Sequence, residues 1–229
     1  MSTTARYDGH ASWFETFRPE LDEVETKVLA RLLGSGCGRC LDLGCGTGVA
    51  LPALRALGWT PVGVDVSEEM LARAVVHGTQ LVRASAESLP FADKSFDAVV
   101  SLWTHTDVED FPRAMREAAR VLRPSSPLVY IGAHPCFVGP HSRFIFGEGA
   151  PALHPGYAST GWYDDGPAIG PDGLRARVGA THLPLGHFLH AFLDAGLRLE
   201  ALEELALDDP ERLFPYRVGL RCRTAPGTA

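Results

Sequence analysis

The feature that most constrains the fold is a regular alternation of strand-like and helical segments between residues 39 and 131. Runs rich in aliphatic and β-branched residues are predicted as strands at 39–43, 61–65, 80–83, 96–102 and 128–131. Segments with helical periodicity lie between them at 49–57, 67–76 and 112–122. Strands that alternate with helices form parallel β-α-β units with right-handed crossovers. The sequence therefore predicts an α/β protein with a doubly wound sheet.

The N-terminal residues 1–36 are predicted to form a helical cap on this sheet. Pro19 is a suitable first helical residue, and Gly34 is a suitable helix end. The helix has one apolar face, formed by Leu21, Val24, Val28 and Leu32.

The alternating pattern stops after the fifth strand, over residues 134–181. This stretch contains nine glycines and six prolines together with several aromatic residues. A loop of this length in a compact domain is usually either functional or disordered, and the aromatic residues favour a folded lid. Helical spacing resumes at 185–195, and two strand-like runs at 197–207 and 217–223 predict an antiparallel hairpin at the sheet edge.

Composition limits the classes of protein that remain. The 229 residues are 45% hydrophobic and 21% charged, which predicts one globular domain over 1–229. A net charge of −7 without a basic run disfavours a nucleic-acid partner. The sequence contains no run of 18 consecutive apolar residues, so no membrane-spanning helix is predicted. Its five cysteines are scattered, which fits a reducing compartment. We therefore expect a cytoplasmic protein.

A glycine-rich turn, Asp42-Leu-Gly-Cys-Gly-Thr-Gly48, lies between the first strand and its helix. Ligands bind at this edge of open α/β sheets, although such a turn alone does not identify the nucleotide. Gly44, Gly46 and Gly48 are at every second position, whereas the dinucleotide pattern needs its third glycine where Val49 stands. Asp42 is better placed for an ammonium group than for a pyrophosphate, and S-adenosylmethionine carries an ammonium.

Asp65 ends the second strand about twenty residues later. A carboxylate at this position can accept hydrogen bonds from both ribose hydroxyls. The alternative is a capping residue before Ser67, and the ribose role is preferred.

Residues Cys40 to Ile131 resemble the class I S-adenosylmethionine-dependent methyltransferases, and within them the type 11 small-molecule group. The most specific motifs are Ala84-Ser-Ala-Glu-Ser-Leu-Pro-Phe-Ala-Asp-Lys-Ser-Phe-Asp-Ala-Val-Val100 and Arg120-Val-Leu-Arg-Pro124. The resemblance implies a Rossmann-like sheet of seven strands, with the last strand antiparallel. It also implies S-adenosylmethionine as cofactor and methyl transfer as the activity.

The same resemblance implies positions for the cofactor. The methionine part would lie against Gly44, Cys45 and Gly46, with Ser101 and Leu102 behind it; the ribose would lie at Asp65, and the adenine near Val66, Met70, Ala86 and Glu87. Ser85 stands where relatives commonly have an acidic residue for the adenine amino group. The contact with the adenine amino group is therefore expected to be weaker, to be made by Glu87 instead, or to be made through a water molecule.

Histidines are the candidates for a general base, because their pKa lies nearest working pH. His105 follows the fourth strand, where relatives often have a histidine near the methyl group, although a structural hydrogen bond to the backbone is an equal alternative. His134 follows the fifth strand and points toward the lid, while His141 and His182 are weaker candidates. His187 and His190 lack a third ligand, and Cys37 and Cys40 lack a second cysteine pair, so no metal site is predicted.

Aromatic residues of the N-terminal segment are further cofactor candidates. In relatives this segment often folds over the cofactor, where an aromatic face would attract the sulfonium. Tyr7 and Trp13 are the candidates, whereas Phe14 and Phe17 are interpreted as docking residues of the N-terminal helix.

The leading hypothesis is methyl transfer from S-adenosylmethionine to a small, partly apolar molecule. An oxygen acceptor is slightly favoured over nitrogen or carbon, because His105 or His134 could deprotonate a hydroxyl. The alternative is a protein with the same fold and cofactor that transfers no methyl group, namely a cyclase, an isomerase or a cofactor-binding module. A dehydrogenase is disfavoured by the glycine spacing. We expect a monomer or homodimer with a small-molecule substrate and no nucleic-acid or membrane partner.

Overall fold

The computed structural model describes residues 5–139, 156–166, 169, 173–205 and 214–226. Its strands are β1 (Arg39–Leu43), β2 (Thr60–Asp65), β3 (Gln80–Arg83), β4 (Ala98–Leu102), β5 (Pro127–Ala133), β6 (Gly161–Tyr163), β7 (Ala180–His182), β8 (Leu197–Leu205) and β9 (Arg217–Thr224). Its helices are α1 (Ala11–Phe17), α2 (Glu23–Leu33), α3 (Leu51–Ala56), α4 (Glu68–Ala74), α5 (Phe111–Val121), α6 (Leu174–Val178) and α7 (Leu185–Leu193). Short 3-10 turns follow α4 and β4, at Val75–His77 and Thr104–Thr106.

The main sheet has seven strands in the order β3-β2-β1-β4-β5-β9-β8. The pairs among β1 to β5 are parallel, and β9 is antiparallel to both β5 and β8. The predicted doubly wound sheet with an antiparallel last strand is confirmed. The hairpin of β8 and β9 is also as predicted, but β9 lies between β5 and β8, so β8 forms the edge. Residues 206 and 207 of the predicted strand lie outside the described residues.

Two apolar layers cover the faces of the sheet. Every residue of β5 is buried, as expected for a strand covered on both faces. On one face, α5 and α7 supply the Met115, Ala118 and Phe188 side chains, and on the other, α2 supplies Val28 and Leu29. Both layers leave the carboxyl ends of the parallel strands open to a ligand.

The N-terminal cap differs from its prediction in two respects. The long helix α2 begins at Glu23 rather than at Pro19, because Asp22 caps it: Asp22 Oδ1 accepts a hydrogen bond from the Glu25 amide at 2.8 Å. The Asp22 amide donates to Glu25 Oε2 at 3.3 Å, which completes a capping box. A further helix, α1, precedes it and was not predicted. Gly34 ends α2 as predicted.

The segment 134–181 contains regular structure that its sequence pattern does not predict. The strand β6 pairs with β7, the end of which lies beyond this segment, and α6 stands between them. Strands of three residues and a helix of five are too short to produce a recognisable period. The rest of this segment, including residues 140–155, lies outside the described residues. None of the described helices has the length and apolar character that crossing a membrane requires.

Candidate active site

The glycine-rich turn after β1 is folded onto the end of β2. The amides of Gly44 and Cys45 both donate to the Val64 carbonyl at 2.9 Å. Asp65, the last residue of β2, accepts from the Gly46 amide through Oδ2 at 2.8 Å and from the Ser67 amide through Oδ1 at 2.9 Å. Ser67 in turn caps α4 by accepting from the Met70 amide. These hydrogen bonds fix the turn and the Asp65 carboxylate relative to each other.

Gly44 and Gly46 both have the positive φ that favours glycine, at 72° and 53°. A Cβ atom on Gly44 would lie 2.5 Å from Thr104 Cγ2, so the turn and the segment after β4 touch there. A Cβ atom on Gly46 would have Met70 Cε, at 3.6 Å, as its nearest neighbour. The backbone at Gly46 therefore faces open space in which a ligand can approach closely.

Asp42 carries an unsatisfied acceptor at this turn. The residue is 1% exposed, and its Oδ2 atom has no hydrogen-bond partner among the described residues. Burial, with the nearby charge of Asp65, raises the pKa of Asp42 to about 7. A buried carboxylate without donors is costly, and a cationic donor in the cavity would satisfy it. The site thus fits a ligand with an ammonium group.

These residues line one cavity of about 970 Å³. Twelve of the fourteen predicted cofactor residues contribute to its wall, namely Tyr7, Asp42, Gly44, Cys45, Gly46, Asp65, Val66, Met70, Ser85, Ala86, Glu87 and Leu102. Trp13 and Ser101 do not, and neither do His105 and His134. The structure therefore brings together most of the predicted cofactor positions and neither of the predicted catalytic histidines.

Ser85, at the position where an acidic residue is common in relatives, lies beside Glu87 in the cavity wall. Ser85 Oγ accepts from the Glu87 amide at 3.1 Å, while Glu87 Oε1 accepts from the Asp110 amide at 3.1 Å. Glu87 thus also fixes the start of α5. Both side chains line the cavity, so an acidic group, Glu87, stands two residues after Ser85 in its wall.

His105 lies in the core, contrary to the expectation that it reaches the methyl group. It is 2% exposed, its Nδ1 is hydrogen bonded to the Tyr130 hydroxyl, and its ring contacts Phe111 and Phe188 edge to face. Burial, together with the nearby charge of Arg175, lowers the pKa of His105 to about 3. The turn at Thr104–Thr106 directs the imidazole between β5 and the helices α5 and α7.

His134 and Ser101 are also engaged away from the cavity. His134 Nδ1 accepts from the Cys136 amide at 3.1 Å, and its Nε2 lies 3.0 Å from Glu204 Oε1. These two contacts leave His134 without a ring nitrogen for a substrate, and burial lowers its pKa. The buried Ser101 hydroxyl is hydrogen bonded to Thr104 Oγ1.

The two N-terminal aromatic candidates, Tyr7 and Trp13, lie in different surroundings. Tyr7 lines the cavity, and burial together with Asp107 raises the pKa of its hydroxyl. Trp13 instead stacks on Phe17 at 4.9 Å, with the Arg177 guanidinium 4.7 Å from its ring centre. Trp13 therefore fixes the cap, while Phe14 and Phe17, expected only to dock the helix, both reach the cavity wall.

The remaining candidates do not form a metal or redox site within the described ranges. No group of three potential ligands comes together there. His182 Nε2 lies 2.9 Å from the Tyr157 carbonyl oxygen, His187 and His190 are on α7 away from the cavity, and His141 lies outside the described residues. Cys37 is exposed, whereas Cys40 is buried in β1.

Sequence reasoning missed two charged clusters that line the cavity. In the first, Arg175 of α6 is paired with Asp107 and donates to Thr106 Oγ1 at 2.8 Å. In the second, Arg217 of β9 is paired with Asp22 and approaches Glu25. The cluster of Arg175 and Asp107 could have been suspected from sequence, because Asp107 follows β4 at the edge where ligands bind. The cluster of Arg217 with Asp22 and Glu25 becomes visible only in the tertiary fold.

Comparison with known proteins agrees with this geometry. Residues 41–130 match the family model described as a methyltransferase domain. Demethylmenaquinone methyltransferase of Mycolicibacterium paratuberculosis is 39% identical over 109 residues, which are 47% of each chain. The O-methyltransferase resE of Aspergillus sclerotiorum is 33% identical over 123 residues, which cover 50% of this chain and 47% of that one. The chain thus spans about half the length of these curated relatives.

A solved structure extends the similarity to nearly the whole chain. An S-adenosylmethionine dependent methyltransferase from Mesorhizobium loti aligns with a TM-score of 0.69 and 28% identity, covering 94% of this chain and 99% of that chain. The strand order, the glycine turn and the unsatisfied Asp42 lead to the same assignment. The chain is therefore similar, in its matched residues 41–130, its fold and its site, to the class I S-adenosylmethionine-dependent methyltransferases, whose cofactor is S-adenosylmethionine.

Proposed function

We propose that this protein transfers the methyl group of S-adenosylmethionine to a small, partly apolar molecule. The observation that carries the proposal is the unsatisfied Oδ2 atom of Asp42, which is buried beside the glycine turn on the wall of a cavity of about 970 Å³. A cavity of this volume exceeds what the cofactor alone needs and leaves room for a small acceptor.

Residues of the chain itself would bind and orient the cofactor. Asp42 would accept the ammonium group of the cofactor, and Asp65, held by the amides of Gly46 and Ser67, would accept the ribose hydroxyls. Val66 and Met70 would contact the adenine. When bound, the cofactor supplies an electrophilic methyl group on its sulfonium. Positioning and exclusion of water then account for most of the catalysis expected in such a transfer.

The acceptor atom we favour is oxygen, for a reason that differs from the one given by the sequence. No histidine of the described residues lines the cavity, so the general base expected from His105 or His134 is absent there. An oxygen that is already ionised, as in an acidic phenol or enol, needs no such base. One relative is named an O-methyltransferase and another acts, by its name, on demethylmenaquinone, so a ring-containing acceptor suits the Phe14, Phe17 and Trp103 wall.

Two measurements test the proposal. Calorimetry should detect binding of S-adenosylmethionine to the folded protein, and binding should be lost in the Asp65→Ala variant. A screen of small phenols and enols with methyl-labelled cofactor should then give a methylated product and S-adenosylhomocysteine. Conversion of an acceptor with the cofactor left intact would identify a cyclase or isomerase, and cofactor binding without any conversion would indicate a binding module. A cytoplasmic location and a monomeric or homodimeric state are part of the same proposal.

A further inference from the structure

The side chain of Arg217 is a buried cation on the wall of the cavity. Arg217 is the first residue of β9, paired with Ala133 of β5 on one side and Leu205 of β8 on the other. The residue is 1% exposed and lines the cavity, as does Ala133. The guanidinium is therefore shielded from solvent at the end of the sheet where ligands bind.

Only part of this guanidinium is paired. Arg217 Nη1 donates to Asp22 Oδ2 at 2.6 Å and lies 3.4 Å from Glu25 Oε1. Its Nε and Nη2 atoms have no hydrogen-bond partner among the described residues. These two atoms share one edge of the guanidinium plane, so together they offer two parallel N–H donors. This is the arrangement that binds a carboxylate bidentately.

The neighbouring carboxylates cannot satisfy that edge, because they are already engaged. Arg18 Nη2 donates to both oxygens of Glu25 at 2.7 Å, and Trp103 Nε1 donates to Glu25 Oε1 at 2.7 Å. Asp22 accepts from Arg217 and from the Glu25 amide in the first turn of α2. Two guanidinium groups thus balance two carboxylates within the cluster. A further anion would have to come from a ligand.

The position of Arg217 favours the acceptor over the cofactor as the source of that anion. In the sheet, β4 and β5 separate β9 from β1, which places the two backbones about 14 Å apart at roughly 4.8 Å per strand. Asp42 and the glycine turn therefore lie in the middle of the cavity, between the ends of β2 and β3 on one side and Arg217 on the other. Acidic residues outnumber basic ones around the cavity wall, which favours a single negative charge over a phosphate dianion.

We propose that the Nε and Nη2 edge of Arg217 binds a carboxylate of the methyl acceptor, so that the substrates are carboxylic acids with an apolar, ring-sized body. The proposal rests on the proposed function and names its substrate class. The apolar body would contact Phe14 and Trp103, and the acid group would orient the acceptor oxygen without being methylated itself.

The test compares an acid with its amide on the protein saturated with S-adenosylhomocysteine. The probes are 1-naphthoate and 1-naphthamide, which have the same shape but differ in charge. In the wild-type protein naphthoate should bind about tenfold more tightly than naphthamide, since the amide cannot accept both N–H donors. This comparison needs no variant, so it stands even if substitutions at Arg217 destabilise the fold.

A conservative variant locates the effect. Arg217→Lys keeps a positive charge for Asp22 but has no second parallel donor, so it should lose most of the preference for naphthoate and bind S-adenosylhomocysteine within about twofold of wild type. The matched control is Arg221→Lys, on the same strand but paired with Glu200 outside the cavity, and it should keep the preference.

Three results would overturn the proposal. Equal binding of acid and amide, or no binding of naphthoate by protein that binds S-adenosylhomocysteine, would exclude a carboxylate subsite. Loss of S-adenosylhomocysteine binding in Arg217→Lys, with the naphthoate preference retained, would assign the edge to the carboxylate of the cofactor. Failure of the wild-type protein to bind S-adenosylhomocysteine would instead contradict the proposed function, which separates the two cases.

Discussion

His105 and Tyr130 are hydrogen bonded to each other inside the core, through Nδ1 of the imidazole and the phenolic hydroxyl. Phe111, Phe188 and Phe192 surround the pair. A polar pair enclosed by aromatic rings stabilises one packing arrangement, since either partner left alone would be an unsatisfied buried group. His105 thus occupies a buried position in the core, although it follows the strand end where a catalytic group was expected.

This pairing predicts a pH-dependent stability. The unfolded state gains a proton on His105 below its ordinary pKa of about 6.5, whereas the native state stays neutral down to about 3. Wild type should therefore lose about 2 kcal/mol of unfolding free energy between pH 6.5 and pH 5 from this group, at about 1.4 kcal/mol per pKa unit. His105→Gln should lack that loss in urea denaturation.

The same variant tests whether His105 has a role in the site. His105→Gln should be less stable than wild type at pH 7 and should bind S-adenosylhomocysteine with unchanged affinity. Tyr130→Phe should lose most of the same unfolding free energy as His105→Gln. The loss in the double variant should therefore be smaller than the sum of the two single losses. Weaker cofactor binding in His105→Gln at a temperature where it is fully folded would argue for a direct role in the site.

Replacing Asp42 should have opposite effects on stability and on binding. The native pKa of about 7 is above that of the unfolded state, so ionisation of Asp42 destabilises the ligand-free protein increasingly from pH 4 to pH 7, and fully above pH 7. Asp42→Asn should therefore raise the unfolding free energy at pH 8, by up to about 4 kcal/mol at about 1.4 kcal/mol per pKa unit. Little gain is expected at pH 4.

Calorimetry with S-adenosylmethionine completes the test on Asp42. Wild-type affinity should fall as the pH drops below about 7, because protonated Asp42 no longer attracts the ammonium group. Asp42→Asn should bind more weakly and should lack this pH dependence. A wild-type affinity that is constant from pH 8 to pH 6 would show that Asp42 does not contact the charged group.

Gly44 should tolerate no side chain. Gly44→Ala would place a Cβ atom 2.5 Å from Thr104 Cγ2 at a positive φ, so the turn must shift and cofactor affinity should fall at least tenfold. Gly78→Ala is the matched control, because Gly78 also has a positive φ but its Cβ would have nothing within 4 Å. If both variants lose affinity equally in calorimetry, general backbone strain rather than the contact with Thr104 is responsible.

The pairing of Arg175 with Asp107 should hold α6 over the cavity. Asp107→Asn removes a charge-assisted bond between partly buried groups, which is commonly worth about 1.5–3 kcal/mol. Amide hydrogen exchange should become faster in α6 and around Tyr7, whose hydroxyl also interacts with Asp107, and cofactor should dissociate faster. Glu23→Gln, which breaks the exposed pair with Lys27 outside the cavity, should leave both rates almost unchanged. Equal effects of the two variants would contradict this role.

Local patterns made the sheet and the cofactor half of the site predictable. The strands β1, β2, β4 and β5 each have at least four buried residues in a row, and the positions that the resemblance implies for the cofactor lie within a few residues of strand ends. Asp42 and Asp65 could therefore be placed from sequence. The start of α2 was predicted wrongly because Pro19 and Asp22 are both acceptable N-terminal signals, and only the reciprocal bond with Glu25 decides between them.

Side-chain direction and long-range pairing were not predictable in the same way. A residue just after a strand can face the cavity or the core, and the short turn at Thr104–Thr106 sends His105 into the core. Arg217 reaches Asp22 across 195 positions of sequence, so no local window contains both. The acceptor half of the site is built mainly from contacts of this second kind.

The place of β9 in the sheet has a consequence for how the protein reaches its folded state. Since β9 lies between β5 and β8, the edge strand cannot join the sheet before β9 has entered it. Arg217 enters with β9 and completes the wall that Asp22 and Glu25 begin. During synthesis, Asp22 must therefore wait for almost two hundred further residues before its partner Arg217 exists.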